Sequence, residues 1–215
     1  MESLLLPPGA VYVHSFTDRL CSPLFPQEEA AIARAVAKRR AEFTTVRACA
    51  RDALAKLGYP PAPLLPGERG APGWPEGVVG SMTHCQGYRA AVVARAEEVA
   101  TLGIDAEPHE PLPDGVLASI ARPEELIALA ALPAGGPAWD RLLFSAKECV
   151  YKAWFPVGRR LLDFRQATVV ILPDGRFTAR MLVPAPILRG RPLTGFSGRW
   201  ITGNGLVLTS IAVES

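Results

Sequence analysis

Apolar residues recur at helical spacing over residues 27–57, where Ile32, Val36, Phe43, Val46, Leu54 and Leu57 share one face. The pattern predicts one long helix, with Gly58 as its stop and prolines beyond it. A short strand is expected before it, at residues 10–15. The opposite helix face carries Arg34, Lys38, Arg39, Arg40, Arg47 and Arg51. Those cations read either as a solvated face or as a stripe that holds phosphates. A Pro/Gly-rich loop at 59–75 separates this helix from three short apolar runs, 78–84, 88–94 and 99–105. Each run is bounded by turn residues, so they read as buried strands. Residues 108–113 form a connector. Short helices are expected at 114–121 and 123–131, a loop at 132–137, and a longer helix at 138–155. Strands follow at 167–172, 176–183, 193–202 and 206–213, with Asp174-Gly175 and Asn204-Gly205 as tight-hairpin signals. The expected fold is α+β: a pseudo-twofold pair of similar lobes, residues 1–108 and 109–215, with a cleft between them. Each lobe is expected to pack a helix on a small, mainly antiparallel sheet. No internal sequence repeat is obvious, so the duplication is read from architecture alone.

Composition narrows the function classes. Hydrophobic residues make up 49% of the 215 positions, enough for a sizeable core. A net charge of only +2 argues against a general nucleic-acid binder. Cys21, Cys49, Cys85 and Cys149 form no C-x-x-C pair, and His14, His84 and His109 are scattered, which argues against a zinc site. The first nine residues have no positive n-region, and their apolar run is too short for a signal peptide. No apolar stretch is long enough to cross a membrane, so a reducing cytoplasm is the expected location.

The chemistry-bearing positions stand at element ends. Asp105 and Glu107 close the third apolar run, in Leu102-Gly103-Ile104-Asp105-Ala106-Glu107. Side chains two apart on a strand share a face. Two adjacent carboxylates repel, and burying them is costly unless a cation compensates. A hard oxygen site fits, and magnesium is the usual ion beside phosphates. Two solvated acids at a polar strand end are the competing reading. In the helix at 138–155, Glu148 and Lys152 are four apart and share a face. A surface ion pair is the bland reading. Yet Leu142, Leu143, Phe144, Val150, Trp154 and Phe155 make this helix mostly buried, with Trp154 and Phe155 read as core. The pair then lies at the edge of a cleft. Thr83 and His84 end the strand at 78–84, where ligand contacts usually occur; a structural histidine is the alternative.

Three blocks now stand in order: Gly80-Ser81-Met82-Thr83-His84-Cys85, Gly103-Ile104-Asp105-Ala106-Glu107, and Phe144-Ser145-Ala146-Lys147-Glu148-Cys149-Val150-Tyr151-Lys152-Ala153. Together they resemble the signature blocks of group-II 4'-phosphopantetheinyl transferases, the enterobactin and surfactin type, and are most similar to the actinobacterial enzymes. The Lys38-Arg39-Arg40-x-Glu42-Phe43-x-x-Val46-Arg47 block and Trp74-Pro75 extend the resemblance to nearly the whole chain. It implies a two-lobed fold with coenzyme A and Mg²⁺ in the cleft, Mn²⁺ being the alternative ion. It also implies transfer of phosphopantetheine to a serine of apo acyl or peptidyl carrier proteins, with 3',5'-ADP as the other product. Such carriers serve fatty-acid, polyketide, nonribosomal-peptide and siderophore synthesis.

The same resemblance implies the residue roles. Asp105, Glu107 and Glu148 hold the ion, Glu107 at one remove through water, and Ala106 offers its backbone carbonyl. Glu148 also takes the serine proton, and Lys152 neutralises the leaving phosphate. Arg39, Arg47, Thr83 and His84 receive the 3'-phosphate. Pro66, Gly67, Glu68 and Arg69 form the adenine loop, with Pro66 standing where some relatives carry lysine. Lys147 and Leu162 complete the coenzyme A set, Leu162 along the pantetheine tunnel. Arg159 and Arg160 stand where an acidic carrier would dock. A monomer with no nucleic-acid or membrane partner is expected. Two other readings remain: a Mg²⁺-dependent hydrolase of nucleotide pyrophosphates, and a catalytically idle coenzyme A-binding or carrier-binding module. Intact Glu148 and Lys152 argue against the second.

Overall fold

The computed structural model describes residues 6–215; residues 1–5, the start of the segment read above for a leader, lie outside the described residues. The helical pattern over 27–57 folds as two helices, α1 (Pro26–Ala31) and α2 (Ala37–Lys56). No proline or glycine causes the break. Its cause is tertiary: the fully buried Glu28 in the first turn of α1 accepts from Phe25 N, Leu64 N and Arg51, at 3.0, 2.8 and 3.0 Å. Those bonds pin α1 at its own angle to α2. Val36, counted on the apolar face, is left 72% exposed as the residue that caps α2.

Strands β1 (Val11–Ser15), β2 (Val78–Cys85) and β3 (Tyr88–Arg95) form an antiparallel sheet in the order β1-β3-β2. The central run of β3, residues 90–94, is apolar because both its faces are covered. Ala91 and Val93 pack on Cys49, Ala50, Ala53 and Leu54 of α2. Ala90, Val92 and Ala94 pack on Leu102, Ile104 and Ala106 of the next strand, β4 (Val99–Pro108). β4 itself joins a different sheet. It is the edge strand of a five-stranded antiparallel sheet with β5 (Ala167–Leu172), β6 (Arg176–Met181), and two strands here numbered with their neighbours. β7 (Ile187–Leu188) and β8 (Arg191–Pro192) make a small separate ladder, which the apolar pattern does not announce. β9 (Gly195–Gly203) and β10 (Leu206–Glu214) complete the large sheet, in the order β4-β10-β9-β6-β5.

The two hairpin signals resolve differently. Asn204 and Gly205, at φ 52° and 72°, form a two-residue turn between Gly203 and Leu206, as the primed turns require. The β5–β6 loop has three residues, because Leu172 pairs with Arg176 and Gly175 takes the left-handed position at φ 89°.

Short helices α3 (Val116–Ile120) and α4 (Pro123–Ala130) lead into α5 (Trp139–Gly158), which runs three residues past its expected end and carries Pro156 in its last turn. α5 packs on β4 and β10. Trp154 and Phe155 lie in the core at 0% and 3% exposure, as expected. Gly103 permits the approach: a Cβ there would lie 2.4 Å from the Cys149 carbonyl oxygen. The observed fold is therefore α+β with antiparallel sheets, the three-stranded and the five-stranded one each backed by a 20-residue helix. The sheets do not divide at the 108–113 connector, since β4 precedes it and belongs to the second sheet.

Candidate active site

The parity of β4 builds the site. Its even residues Leu102, Ile104 and Ala106 face the first lobe's core. Its odd residues face α5: Thr101 donates to the Ala153 carbonyl at 2.7 Å, Gly103 touches Cys149 and Ala153, and Asp105 meets Lys152. Asp105 and Glu107 thus share the face that Glu148 and Lys152 present from α5.

Asp105 is 4% exposed. Its Oδ1 accepts from Lys152 Nζ at 2.6 Å and from Thr83 Oγ1 at 3.1 Å. Its Oδ2 is buried with no hydrogen-bond partner. Lys152 Nζ also donates to the Ile104 carbonyl at 3.1 Å. Burial alone would lower the Lys152 pKa, but the Asp105 and Glu148 carboxylates outweigh it and raise it. Glu148 is half-buried. Burial first, and then the Asp105 charge, raise its pKa, with Lys152 opposing. The same two causes push Glu107 up to about 7, against the pull of Arg141, whose NH1 lies 3.0 Å from Glu107 Oε2. These carboxyls destabilise one another's charge, which a bound cation would relieve.

Among the described residues no three carboxyl, imidazole or thiol groups stand as a preformed metal cage. The fit to a hard divalent ion rests on the donor chemistry. A buried carboxylate oxygen without a partner, flanked by two carboxyls held above their ordinary pKa, is an oxygen-rich acceptor set. Asp105 and Glu148 would hold such an ion directly. Glu107, held by Arg141, stands further from that role.

The cationic positions fall into two groups. Arg39 NH1 donates to His84 Nε2 at 2.7 Å, and Glu42 lies 3.8 Å from both side chains. An imidazole that accepts at Nε2 is neutral and protonated on Nδ1. Enclosure by its neighbours lowers the His84 pKa. Glu42 raises it, and Arg39 and then Lys152 lower it further. His84 follows Thr83, whose hydroxyl bonds Asp105, so the exposed Arg39–His84 pair stands at the same end of β2. Arg47 differs: it is 6% exposed, its guanidinium lies over the Phe43 ring at 3.2 Å, and its Nε donates to the Leu64 carbonyl at 2.8 Å. Burial pulls its pKa down to about 10. Arg47 therefore braces the loop that precedes Pro66 while remaining near enough to Arg39 to repel it. Pro66, Gly67, Glu68 and Arg69 are exposed on a hairpin-like loop closed by the Pro66–Pro72 bridge, with Arg69 left-handed at φ 55°. Burial raises the Tyr151 pKa, while the charge of Arg69 in this loop lowers it and that of Glu68 raises it.

A cleft of about 190 Å³ opens along α5, lined by Glu148, Val150, Tyr151, Leu161, Leu162 and Phe164 among others. Leu162 thus lines a cavity that begins at Glu148. Lys147 contributes only its stem. Its ammonium is buried on the Glu125 carboxylate at 2.8 Å and the carbonyls of Phe164 and Ala167 at 2.7 and 3.0 Å. None of those partners belongs to the acidic trio. Arg159 and Arg160 are exposed just beyond α5, with Leu161 53% exposed beside them.

Arg141 was not singled out from the sequence. It stands 7 residues before Glu148 and 11 before Lys152, a spacing that puts all three on one helical face. That spacing was a usable signal.

The chain was compared with known proteins. A family model described as the 4'-phosphopantetheinyl transferase N-terminal domain matches residues 27–94, and one for the 4'-phosphopantetheinyl transferase superfamily matches residues 101–195. The junction falls in the turn between β3 and β4, where the chain passes from one sheet to the other. The chain is 61% identical over 221 residues to 4'-phosphopantetheinyl transferase Svp of Streptomyces mobaraensis, covering 100% of this chain and 90% of the relative. It is 50% identical over 210 residues to 4'-phosphopantetheinyl transferase PptT of Mycobacterium tuberculosis, covering 94% and 91%. It is 48% identical over 196 residues to 4'-phosphopantetheinyl transferase Npt of Nocardia iowensis, covering 87% and 88%.

Proposed function

This chain belongs to the 4'-phosphopantetheinyl transferase superfamily, and from that premise we propose that it moves the phosphopantetheine arm of coenzyme A onto a serine of apo carrier proteins. The products are holo carrier protein and 3',5'-ADP. The observation that supports this reading best is the convergence of Asp105, Glu148 and Lys152 where β4 meets α5, beside the Arg39–His84 pair. Acyl and peptidyl carriers are the proposed partners. A monomer acting in the cytoplasm is the proposed setting. No helix among the described residues is long and apolar enough to cross a membrane.

A divalent ion, Mg²⁺ or Mn²⁺, held by Asp105 and Glu148 would supply Lewis-acid stabilisation of the pyrophosphate. Glu107 with Arg141, and the Ala106 carbonyl, are proposed as its surroundings. The remaining steps belong to the chain's own groups. Arg39 and His84 receive the 3'-phosphate at the rim, the guanidinium as a two-pronged donor. The 66–69 loop and Tyr151 cover the nucleotide end. Leu162, Val150 and Phe164 line the path of the pantetheine arm. The raised pKa of Glu148 brings it nearer to neutral, where a general base for a serine hydroxyl works best. Lys152, already raised by two carboxylates, stays protonated and neutralises the phosphate that departs as 3',5'-ADP. The carrier docks at the cleft mouth beside Arg159, Arg160 and Leu161. Residues 1–108 and 109–215 act as the two lobes, with β4 the strand of the first that pairs with β10 of the second.

The direct test incubates the protein with coenzyme A, Mg²⁺ and a panel of apo carrier proteins and reads carrier mass. Carriers should gain one phosphopantetheine each, and chelation should stop the gain. Release of 3',5'-ADP with unmodified carrier would identify a hydrolase instead.

A further inference from the structure

β2 is the open edge of the three-stranded sheet and β4 the open edge of the five-stranded one, and the two edges meet without a main-chain ladder. Side chains bridge them. Ser81 Oγ accepts from Ile104 N at 3.1 Å, and Thr83 Oγ1 accepts from Ala106 N at 3.1 Å. Both hydroxyls are 4% exposed, and their spacing of two matches the spacing of the amides they serve. Only Thr83 does a second thing: its hydroxyl proton goes to Asp105 Oδ1 at 3.1 Å. With Lys152 on the same oxygen, Oδ1 is fully engaged and the buried Oδ2 is the one left without a partner.

We propose that Thr83 is a positioning residue for the metal-binding carboxylate, fixing the Asp105 rotamer from the neighbouring sheet so that Oδ2 alone is offered to the ion. A contact of Thr83 with the coenzyme A phosphate would use the same hydroxyl, whose single proton is already committed to Asp105. The seam thereby ties the packing of the two sheets to the metal site: one hydroxyl holds both the Ala106 amide and the Asp105 side chain. Ser81 is the internal control, since it makes the same kind of seam bond and does not touch Asp105.

This inference rests on the metal reading given above, and its test separates the two. Mn²⁺ is titrated into the protein with saturating coenzyme A and no carrier, and free ion is read by its EPR signal. Thr83→Val keeps the volume and loses the hydroxyl; it should weaken Mn²⁺ binding about tenfold, as loss of a partner behind a metal ligand does. Thr83→Ser should restore affinity to within about twofold of the parent. Ser81→Ala should lower the urea midpoint as Thr83→Val does, yet leave Mn²⁺ affinity within about twofold. Repeating the series with 3'-dephospho-coenzyme A should leave these ratios unchanged. Should Thr83→Val not fold, Thr83→Cys, with a weaker donor of similar size, carries the same comparison. Equal Mn²⁺ affinities for Thr83→Val and Ser81→Ala would overturn the proposal, as would a Thr83 effect that vanishes with 3'-dephospho-coenzyme A. Parent protein that takes up no Mn²⁺ would sink the metal reading and this inference together.

Discussion

Replacing Glu28 by alanine should unfold much of what holds the first lobe in shape, although the residue lies far from the acidic trio in sequence. The carboxylate is 0% exposed. It accepts from the backbone of Phe25 and Leu64 and from Arg51, whose own side chain is 12% exposed, and Arg47 Nε lies 3.9 Å away. Truncation leaves a largely buried guanidinium without its counter-charge, a change that costs about 3–5 kcal/mol. The orphaned Leu64 amide belongs to the same loss. Against a total stability of roughly 5–15 kcal/mol, that is about a fifth of it at the least.

Glu29 supplies the comparison one residue on. Its ion pair with Arg40 is shorter, at 2.6 Å, but the two side chains are 48% and 44% exposed. An exposed pair contributes about 0–1 kcal/mol. Burial, not distance, therefore decides the ranking. Urea denaturation followed by tryptophan fluorescence should show a large drop in midpoint for Glu28→Ala and almost none for Glu29→Ala. Because Leu64 leads into the 66–69 loop, Glu28→Ala protein that still folds should also bind coenzyme A more weakly. A cost below about 1 kcal/mol for Glu28→Ala, matching Glu29→Ala, would refute the reasoning.

Further outcomes can be stated. Gly103→Ala places a Cβ 2.4 Å from the Cys149 carbonyl oxygen and 3.0 Å from Ala153 N, both backbone atoms. It should cost about 3 kcal/mol or more in a thermal melt and reduce transfer by shifting β4 off α5. Arg39→Ala should weaken coenzyme A about tenfold, roughly 1.4 kcal/mol, and 3'-dephospho-coenzyme A hardly at all; calorimetric titration of both ligands decides it. Iodoacetamide at pH 8 should label the exposed Cys21 and spare Cys85, whose thiol burial pushes up to about 12 with Glu107 and Asp105 adding to it. Peptide mass mapping reads the pattern, and rapid labelling of Cys85 would contradict the assigned burial of that strand end.

Legibility in the sequence followed the range of the forces involved. The i, i+2 parity that put Asp105 and Glu107 on one face, and the i, i+4 spacing of Glu148 and Lys152, are local geometry, and both faces meet as expected. The apolar run at residues 90–94 of β3 reported a strand covered on both sides, and it is. The break between α1 and α2 was invisible because a carboxylate bonded 36 residues away, at Leu64, produces it. The sheet to which β4 belongs was equally hidden. Its partner β10 is the last strand of the chain, and nothing in residues 99–108 names it. Arg47 looked like a surface cation on a basic stripe; only tertiary contacts reveal it as a buried brace on Leu64.

The site lies where it does because two sheet edges meet there. An edge strand carries unpaired amides and carbonyls that must find partners once they are buried. Along β4 the amides of Ile104 and Ala106 are served by hydroxyls of β2, and the Ile104 carbonyl is served by the Lys152 ammonium. A continuous main-chain ladder would satisfy the same groups with no side chains near Asp105. Closing the seam with Thr83 and Lys152 instead brings one hydroxyl and one ammonium to a single carboxylate oxygen and leaves the other oxygen buried and unmet. A divalent ion bound there would engage that oxygen, so the ion should raise the unfolding midpoint of the parent protein more than that of Thr83→Val.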